Sequence, residues 1–388
     1  MSGNTESIAQ WLIDGARSAP RPQDVLATLC AGLVACGIPL WRGAVFVRTL
    51  HPNVAGRRFE WRAGEAVAVA EMPYQALEVA PFVDSPIPRV CDSGQAMRCR
   101  LESPPKLADF PALEPLCAEG ITDYWLTPLV FSNGEVHVAS WATREPRGFS
   151  DAQLRDIERI LAPLARVAEI HALRRTAVNL LDAYVGHRSG ERILAGAIRR
   201  GDTETIHAAI WLSDMRGFTP LADRLPSGQL LALLNRYFDC QITAIARHGG
   251  EVLKFIGDGL LAIFPVAGDD AKICGAALAA AEEASAAVAA IAATPAGEGV
   301  RFGLALHLGE VEYGNIGGER RLDFTCIGPA VNLAARLEKL TGKLGHTIVA
   351  SSAFARFSPT PLRPLGEFNL AGFTRAEMVY TLPLGGRP

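Results

Sequence analysis

Short apolar runs in the first 149 residues predict the first strands of the chain. Residues 43–50 (GAVFVRTL) and 124–131 (YWLTPLVF) are rich in the β-branched and aromatic residues that strands favour. An Asn-Gly pair follows the second run, which predicts a hairpin with its turn at Ser132 to Gly134. A proline-heavy stretch from Pro73 to Pro115 predicts long loops. Residues 1–149 are therefore predicted to form an α+β domain.

The hydrophobic period changes after Ser150, where apolar residues begin to recur at steps of three and four. This spacing predicts a long amphipathic helix over 151–186, with a kink at Pro163. The apolar positions are Leu154, Ile157, Ile160, Leu161, Leu164, Val167, Ile170, Leu173, Val178 and Leu181. The stripe either caps the N-terminal core or pairs with the same helix of a second copy, and the motifs described below favour the parallel dimer.

Strand, helix and hairpin patterns follow one another in the C-terminal half. Residues 206–219 (IHAAIWLSDMRGFT) are typical of a buried strand with Asp214 at its end. Residues 229–248 place apolar side chains on one helical face before a Gly-Gly stop. Residues 251–264 (EVLKFIGDGLLAIF) predict two strands around a turn at Asp258. This succession can place Asp214 and Asp258 side by side.

Neighbouring carboxylates suit a hard divalent cation, because Mg²⁺ takes few protein oxygens and completes its shell with water and phosphates. Taken singly, each aspartate also has a common structural role. Asp214 can begin a turn and Asp258 can serve a tight hairpin turn. On spacing alone, both interpretations stay open.

Residues 301–342 predict two strands, a glycine-containing turn, a third strand and a helix. Asn332 and Arg336 lie four residues apart on one face of that helix. Another face of the helix is lined by Leu333, Leu337 and Leu340. A surface helix often carries such polar residues without a function, but an amide and a guanidinium also suit a ribose and the charged phosphorus centre of a phosphoryl-transfer transition state.

Composition narrows the class of protein. The chain has 388 residues, which suits two domains, and 49% hydrophobic against 20% charged residues predicts a globular fold. A net charge of -3 gives no reason to expect a nucleic-acid partner. The start lacks a signal-peptide pattern and the alanine-rich stretch 276–293 is predicted to be a packed surface helix, so we expect no membrane span and a cytoplasmic location. The eight cysteines contain no CxxC pair and are expected to be reduced structural thiols.

The N-terminal region resembles a GAF sensor domain in three places. These are Thr127-Pro128-Leu129, the Asn133-Gly134 hairpin, and the Gly148-Phe149-Ser150-Asp151 start of its last helix. The resemblance implies a small-molecule effector pocket or a dimerising surface. No residue in the sequence identifies the ligand.

Four ordered motifs of the C-terminal half resemble class III adenylyl and guanylyl cyclases. They are WLSDMRGFT (211–219), LKFIGDGLLAIF (253–264), HLGEVEYGNIG (307–317) and DFTCIGPAVNLAARLE (323–338). The resemblance implies an α+β chain in which a ferredoxin-like, palm-type βαββαβ cyclase domain (201–388) follows a GAF-like regulatory domain (1–149). A signalling helix and linker (150–200) joins them, with the boundary in the polar segment 186–205.

The resemblance also implies the roles of four residues in converting ATP to cyclic AMP and pyrophosphate. Asp214 and Asp258 match the family's metal-binding aspartates, which hold two divalent ions, Mg²⁺ or Mn²⁺. One ion acidifies the ribose 3′-hydroxyl for attack on the α-phosphorus, and the second holds the triphosphate. Asn332 matches the ribose-orienting asparagine and Arg336 the transition-state arginine.

Lys254 and Thr325 match the family's base-selecting positions. Adenine offers an acceptor ring nitrogen beside an exocyclic amine, which a lysine donor and a hydroxyl acceptor complement. Guanine reverses that pattern, so the pair predicts a preference for ATP. Some GTP turnover is expected, since a threonine hydroxyl can donate or accept.

In this family the two aspartates come from one subunit and the other four residues from its partner. A single cyclase domain with every position filled therefore implies a homodimer with two equivalent sites. One position departs from the family, because Ala371 stands where many members carry a triphosphate-binding lysine, and Arg375 is the candidate substitute.

Two rival functions were weighed. A catalytically silent nucleotide-binding module would be marked by the loss of an aspartate, the asparagine or the arginine, and none is lost. A diguanylate cyclase would need a Gly-Gly-acidic motif at the hairpin, and this hairpin carries IGDG instead.

Overall fold

The computed structural model describes residues 4–101, 109–297 and 299–383. The chain folds as two compact units that divide between Ala183 and Tyr184. This division lies ahead of the polar segment 186–205, where the sequence places the boundary, and that segment folds with the second unit. The reason is local, because the Glu251 carboxylate accepts hydrogen bonds from the Ser189 backbone N–H at 3.1 Å and from its hydroxyl at 2.8 Å.

The first unit contains five helices and six strands in the described residues. They are α1 (Thr5–Ile13), α2 (Pro22–Ala35), β1 (Arg42–Arg48), β2 (Gly56–Arg62), β3 (Ala68–Met72), α3 (Ile87–Ser93), β4 (Met97–Arg100), α4 (Glu114–Ala118), β5 (Asp123–Val130), β6 (Val136–Thr143) and α5 (Asp151–Val185). The strands form one antiparallel sheet in the order β3-β2-β1-β6-β5-β4. One face of this sheet packs with α1, α2 and the first half of α5 in a single apolar core.

The hairpin predicted around Ser132 to Gly134 is confirmed. Strands β5 and β6 pair as far as Val130 and Val136, and Gly134 has a φ of 85°. The prediction of long loops between Pro73 and Pro115 is wrong in part, because α3 and β4 lie within that stretch. Residues 102–108 of the same stretch lie outside the described residues.

Helix α5 is one 35-residue element that contains Pro163. Its apolar stripe divides into two parts. Ile157, Ile160 and Leu164 are buried in the core of the first unit. Further along, Ile170 and Leu173 are 62% and 64% exposed. The capping interpretation therefore holds for the first half of the helix, while the second half presents free apolar side chains.

The second unit begins with the remaining helices and strands in chain order. They are α6 (His187–Leu194), β7 (Thr203–Arg216), α7 (Phe218–Arg224), α8 (Ser227–Arg247), β8 (Glu251–Ile256), β9 (Gly259–Pro265), α9 (Asp270–Ala292), β10 (Arg301–Gly317), β11 (Leu322–Ile327), α10 (Pro329–Leu344), β12 (Ile348–Ser351), α11 (Ser352–Phe357), β13 (Arg363–Phe368) and β14 (Glu377–Thr381). The sheet order is β13-β14-β12-β10-β7-β9-β8, with β11 paired to β10.

Helices cover both faces of this second sheet. Alternate residues of β7 divide between the faces, with Ala209 and Trp211 in the core under α8 and α9, and Ala208 and Ile210 in the core that includes α10. Among the described helices, α9 alone is long and apolar enough to cross a membrane by length and composition. It lies as a core helix, since residues from Cys274 to Ile291 along one face are buried against the sheet.

The sequence predicts two strands over residues 301–317, and this prediction is wrong. Strand β10 is continuous for 17 residues and pairs antiparallel with β7 from Arg301 to Gly314. Gly309 does not interrupt it. A Cβ at Gly309 would lie 2.9 Å from the Cβ of Ala330 on α10 and 3.0 Å from Nε2 of His307, so this glycine allows the helix to pack closely on the strand.

Gly309→Ala is therefore expected to destabilise the second unit, because the added methyl group collides with helix α10. Overpacking of this kind lowers the free energy of unfolding by about 1–3 kcal/mol. The matched control is Gly342→Ala on α10, where a Cβ meets nothing within 4 Å. It should stabilise by about 0.4–1 kcal/mol. Urea unfolding checks both, and equal stability of the two variants would contradict the packing role of Gly309.

Candidate active site

Asp214 and Asp258 meet where two paired strands end. Asp214 lies near the end of β7, one residue beyond the last β7–β9 pair, Ser213 with Leu260. Asp258 lies in the turn just before β9. The glycine between them in space is required, since a Cβ at Gly259 would lie 2.5 Å from the Ser213 carbonyl oxygen and 3.1 Å from Oδ1 of Asp214. The predicted side-by-side placement is therefore what the strand pairing produces.

The two carboxylates repel one another in a half-buried setting. Burial raises the pKa of Asp214 to about 6, and the charge of Asp258 raises it further against a hydrogen bond from the Met215 backbone and the attraction of Arg216. A divalent cation between the two groups would relieve this repulsion. The arrangement is thus a destabilised pair of anions that a cation stabilises.

The donor set fits a magnesium-like ion. Within the described parts of the chain, no group of three or more His, Cys, Asp or Glu side chains converges on a metal site. Two carboxylates leave most of the coordination positions to water and phosphate oxygens, which is how Mg²⁺ binds in nucleotide-processing proteins. Asp214 and Asp258 would therefore hold the metal, and a nucleotide would complete its shell.

Lys254 lies next to the strand of Thr325. Its ammonium donates a hydrogen bond to Oδ2 of Asp323 at 2.9 Å, so β8 and β11 are joined by an ion pair. Thr325 lies two residues further along β11 and is 2% exposed. Its hydroxyl has no hydrogen-bond partner among the described residues, which leaves a buried polar group to be satisfied. Together these groups form a small polar surface beside the metal-binding hairpin.

Asn332 and Arg336 both lie on the exposed side of α10. The opposite side of the helix is buried through Leu333 and Leu337. The contacts between described residues join Asp214 to Asp258 and Lys254 to Asp323, and none joins either aspartate to Asn332 or Arg336. One chain therefore presents two separate sets of candidate groups.

The sequence analysis missed two charged residues near these groups. Asp323 holds Lys254, and its signal was the two-residue spacing from Thr325, which places both side chains on one face of a strand. Glu338 on α10 is the second, and burial together with the charge of Asp214 raises its pKa. Its inward position depends on how α10 packs, which spacing alone does not give.

A buried polar cluster lies behind the first aspartate. The Ser213 hydroxyl donates to Oε1 of Gln241 on α8. Among the described residues, Nε2 of Gln241, the Tyr237 hydroxyl and Nε1 of Trp211 have no partner. Burial, followed by the charge of Asp214, raises the pKa of Tyr237. These groups make the base of the site polar without adding a charge.

Ala371 and Arg375, the positions discussed for the triphosphate, are both exposed in the connection between β13 and β14. Neither contacts the aspartates. The described contacts give Arg375 no role, and its substitution for a lysine stays a prediction.

Comparison with protein families identifies the class of the second unit. The model of the adenylate and guanylate cyclase catalytic domain matches residues 202–382. This range contains the β7 to β14 sheet with the paired aspartates, Lys254 and α10. The second unit therefore belongs to the class III nucleotidyl cyclases.

Individual relatives support the same class. An uncharacterized protein of Mycobacterium bovis is 30% identical over 246 residues, 58% of this chain and 44% of the relative. Adenylate cyclase 1 of Rhizobium meliloti is 30% identical over 175 residues, 43% of this chain and 26% of the relative. The adenylyl cyclase CyaB of P. aeruginosa is 26% identical with a TM-score of 0.42 over 46% of this chain and 94% of that structure. The chain thus spans less than half the length of these curated relatives.

Asp258→Asn is expected to stabilise the metal-free protein at pH 7. The folded-state pKa of Asp214, about 6, exceeds its ordinary value of 3.8, so the folded state binds more protons between these values and loses stability as the pH rises through them. Removing the Asp258 charge lowers that pKa and restores stability. The gain should be a few degrees in Tm at pH 7 and should disappear near pH 4, where Asp214 is protonated in both proteins.

Thermal unfolding with a chelator, and then with added Mn²⁺, measures this effect. Mn²⁺ should raise the Tm of the wild type by more than that of Asp258→Asn, because bound metal stabilises the folded state. Asp239→Asn, at an exposed position on α8, is the matched control and should change neither curve. A metal-free Asp258→Asn protein that is less stable than wild type at pH 7 would contradict the repulsion.

Proposed function

We propose that the second unit is an adenylate cyclase, which converts ATP to 3′,5′-cyclic AMP and pyrophosphate. The observation that carries this proposal is the pair formed by Asp214 and Asp258 at adjoining strand ends of a cyclase catalytic domain. A bound divalent metal supplies a Lewis acid that lowers the pKa of a coordinated hydroxyl and neutralises phosphate charge. The aspartates hold that metal in place, and two such ions serve the attacking and the leaving oxygens.

The exposed residues of α10 complete the chemistry. Arg336 carries a permanent charge that stabilises the negative charge developing on the α-phosphoryl oxygens in the transition state. Asn332 lies one helical turn away, and its amide orients the ribose so that the 3′-hydroxyl faces the phosphorus. Neither residue needs to move a proton, so the protein's contribution is positioning and charge.

The preference for ATP rests on Lys254 and Thr325. The ion pair with Asp323 holds the Lys254 ammonium at the edge of β8, where it can donate to the adenine ring nitrogen. The unpaired Thr325 hydroxyl supplies an acceptor for the exocyclic amine. Guanylate cyclase activity is the second candidate, because the family model covers both reactions and a hydroxyl can also donate.

We propose that the enzyme works as a homodimer. Since Asn332 and Arg336 do not contact the aspartates of their own chain, a second copy is needed to bring the two sets together. The metal-binding hairpin carries two exposed apolar residues that a partner can cover, Phe255 at 53% and Ile256 at 52% exposure. Ile327 at the end of β11 is 48% exposed. These side chains adjoin the candidate groups rather than lying far from them.

A second dimerisation surface lies on α5. Ile170, Leu173, Ala177, Leu180 and Tyr184 are exposed on this helix and recur at alternating steps of three and four. This is the heptad spacing of a two-stranded coiled coil. A parallel pair of α5 helices would bring two copies of the chain into register, which supports the dimer proposed from the sequence.

We propose that the first unit regulates the cyclase. Its antiparallel sheet, with helices packed on one face and a long terminal helix, is compatible with the GAF-like sensor domain expected from the sequence. A small-molecule effector is its proposed ligand. The eight free cysteines and an ATP substrate suit the cytoplasm, which is the location we propose.

A product assay with ATP and GTP, in Mg²⁺ and in Mn²⁺, tests the reaction. The full chain is expected to form mainly cyclic AMP. Asp258→Ala should lower the rate at least about 100-fold, because it removes one of two metal ligands. Asp239→Ala is the matched control and should retain full activity.

The same assay tests the base preference through the double variant Lys254→Glu with Thr325→Cys, which should shift turnover towards cyclic GMP. Mainly cyclic GMP from the wild type would contradict the ATP assignment. Retained activity in Asp258→Ala would contradict the metal site.

Mixing two inactive variants tests the shared site. Asp258→Ala and Arg336→Ala should each be inactive as homodimers. Their equal mixture should recover about a quarter of wild-type activity, because about half of the dimers are mixed and each keeps one intact site. A mixture of Asp258→Ala with Asp214→Ala is the matched control and should stay inactive, since both changes damage the same half. No recovery in the first mixture would contradict the dimeric site.

A further inference from the structure

The first unit contains a cavity of about 610 Å³ beside α5. It lies between the sheet, the N-terminal end of α2 and the second half of α5. The apolar lining comes from the sheet and from α5, through Val45, Val47, Phe59, Leu164, Val167 and Val178. This volume is within the range of small-molecule sites.

The charged lining of the cavity has one sign. Five arginines and no acidic residue are among its described lining residues. Two of them are neutralised, because Arg21 pairs with Asp24 and Arg57 pairs with Glu71. The remaining three are considered separately below.

Three guanidinium groups at the cavity lack a counterion. Arg48, Arg174 and Arg175 form no ion pair with any carboxylate in the described parts of the chain. All three are exposed, so they stand where solvent and a ligand can reach them. An apolar space with unpaired cations at its edge attracts a molecule that has an apolar body and an anionic group.

We propose that this cavity binds an amphipathic anion, a small molecule with an aliphatic body and one carboxylate or phosphate. The body lies against Val47, Phe59 and Val167, and the anionic group is bound by the free arginines. The proposal deepens the regulatory part of the proposed function, since it names the chemical class of the effector. A cyclic nucleotide fits less well, because the neutral polar side chains among the described lining residues are limited to Gln23, Thr49 and His171.

The cavity and the exposed heptad stripe share the same turns of α5. Ala168, Ala172 and Arg175 line the cavity, while Leu173 and Ala177 lie on the exposed stripe. A ligand that contacts the first set therefore acts on the helix whose pairing we propose to join two copies. Its binding is expected to change cyclase activity through that helix.

Isothermal titration calorimetry of the full chain with octanoate and with octyl phosphate, below micelle-forming concentrations, tests the proposal. Both anions are expected to bind at one site per chain. The uncharged analogue 1-octanol should bind at least about tenfold more weakly, because it offers no charge to the arginines. Absence of binding by both anions, or equal affinity for 1-octanol, would overturn the proposal.

Two variants separate the head from the body of the ligand. Arg174→Gln with Arg175→Gln should weaken the anions about tenfold or more and leave 1-octanol unchanged. Ala172→Phe fills the cavity and should weaken all three compounds. Arg155→Gln, at an exposed position near the start of α5, is the matched control and should bind as wild type. Loss of anion binding in Arg155→Gln as well would show nonspecific attraction and overturn the site.

Activity is measured separately from binding. A chain that binds octanoate but makes no cyclic nucleotide would refute the enzyme and leave the cavity assignment intact. A chain that makes cyclic AMP but binds neither anion would do the reverse. Cyclic AMP is included as a competitor, and its displacement of octanoate in the calorimeter with higher affinity would replace the amphipathic anion by a nucleotide and overturn the proposal.

Discussion

The candidate site of the second unit depends on the close approach of two strand ends that each carry a negative charge. The approach is possible because Gly259 has no side chain to separate β9 from the end of β7. Like charges at this distance oppose folding, and burial makes the opposition stronger. The fold holds the pair through the pairing of β7 with β9 and β10, so the sheet maintains a local repulsion that only a cation removes.

The other candidate groups reach the surface because α10 has two different faces. Leu333 and Leu337 hold the helix against the sheet, and Asn332 and Arg336 point away from it. The same packing that fixes the helix therefore prevents its polar residues from reaching the aspartates of their own chain. Under the proposed function, this incompleteness makes activity depend on association, so that any event that changes association also changes the rate.

Local features of this chain were predictable from sequence, whereas contacts between distant segments were not. Asp214 and Asp258 sit at a strand end and in a short hairpin, and both positions follow from apolar runs and a glycine. The Lys254–Asp323 ion pair joins segments 69 residues apart, and no period in the sequence indicates it. Gly309 was misread because a glycine marks a turn and a close helix contact equally well. The stripe of α5 was found, but spacing alone does not say which turns are covered.

The unbroken strand β10 has a mechanical consequence. Seventeen residues of extended chain span roughly 55 Å, and β10 pairs with β7, β11 and β12 along that length. A strand bonded on both sides resists bending, because bending would stretch several rows of hydrogen bonds at once. Elastic deformation inside the second unit is therefore a poor way to open or shut a cleft. Movement would instead be carried by whole subunits turning as stiff bodies, with the compliance concentrated in the connections that precede the sheet.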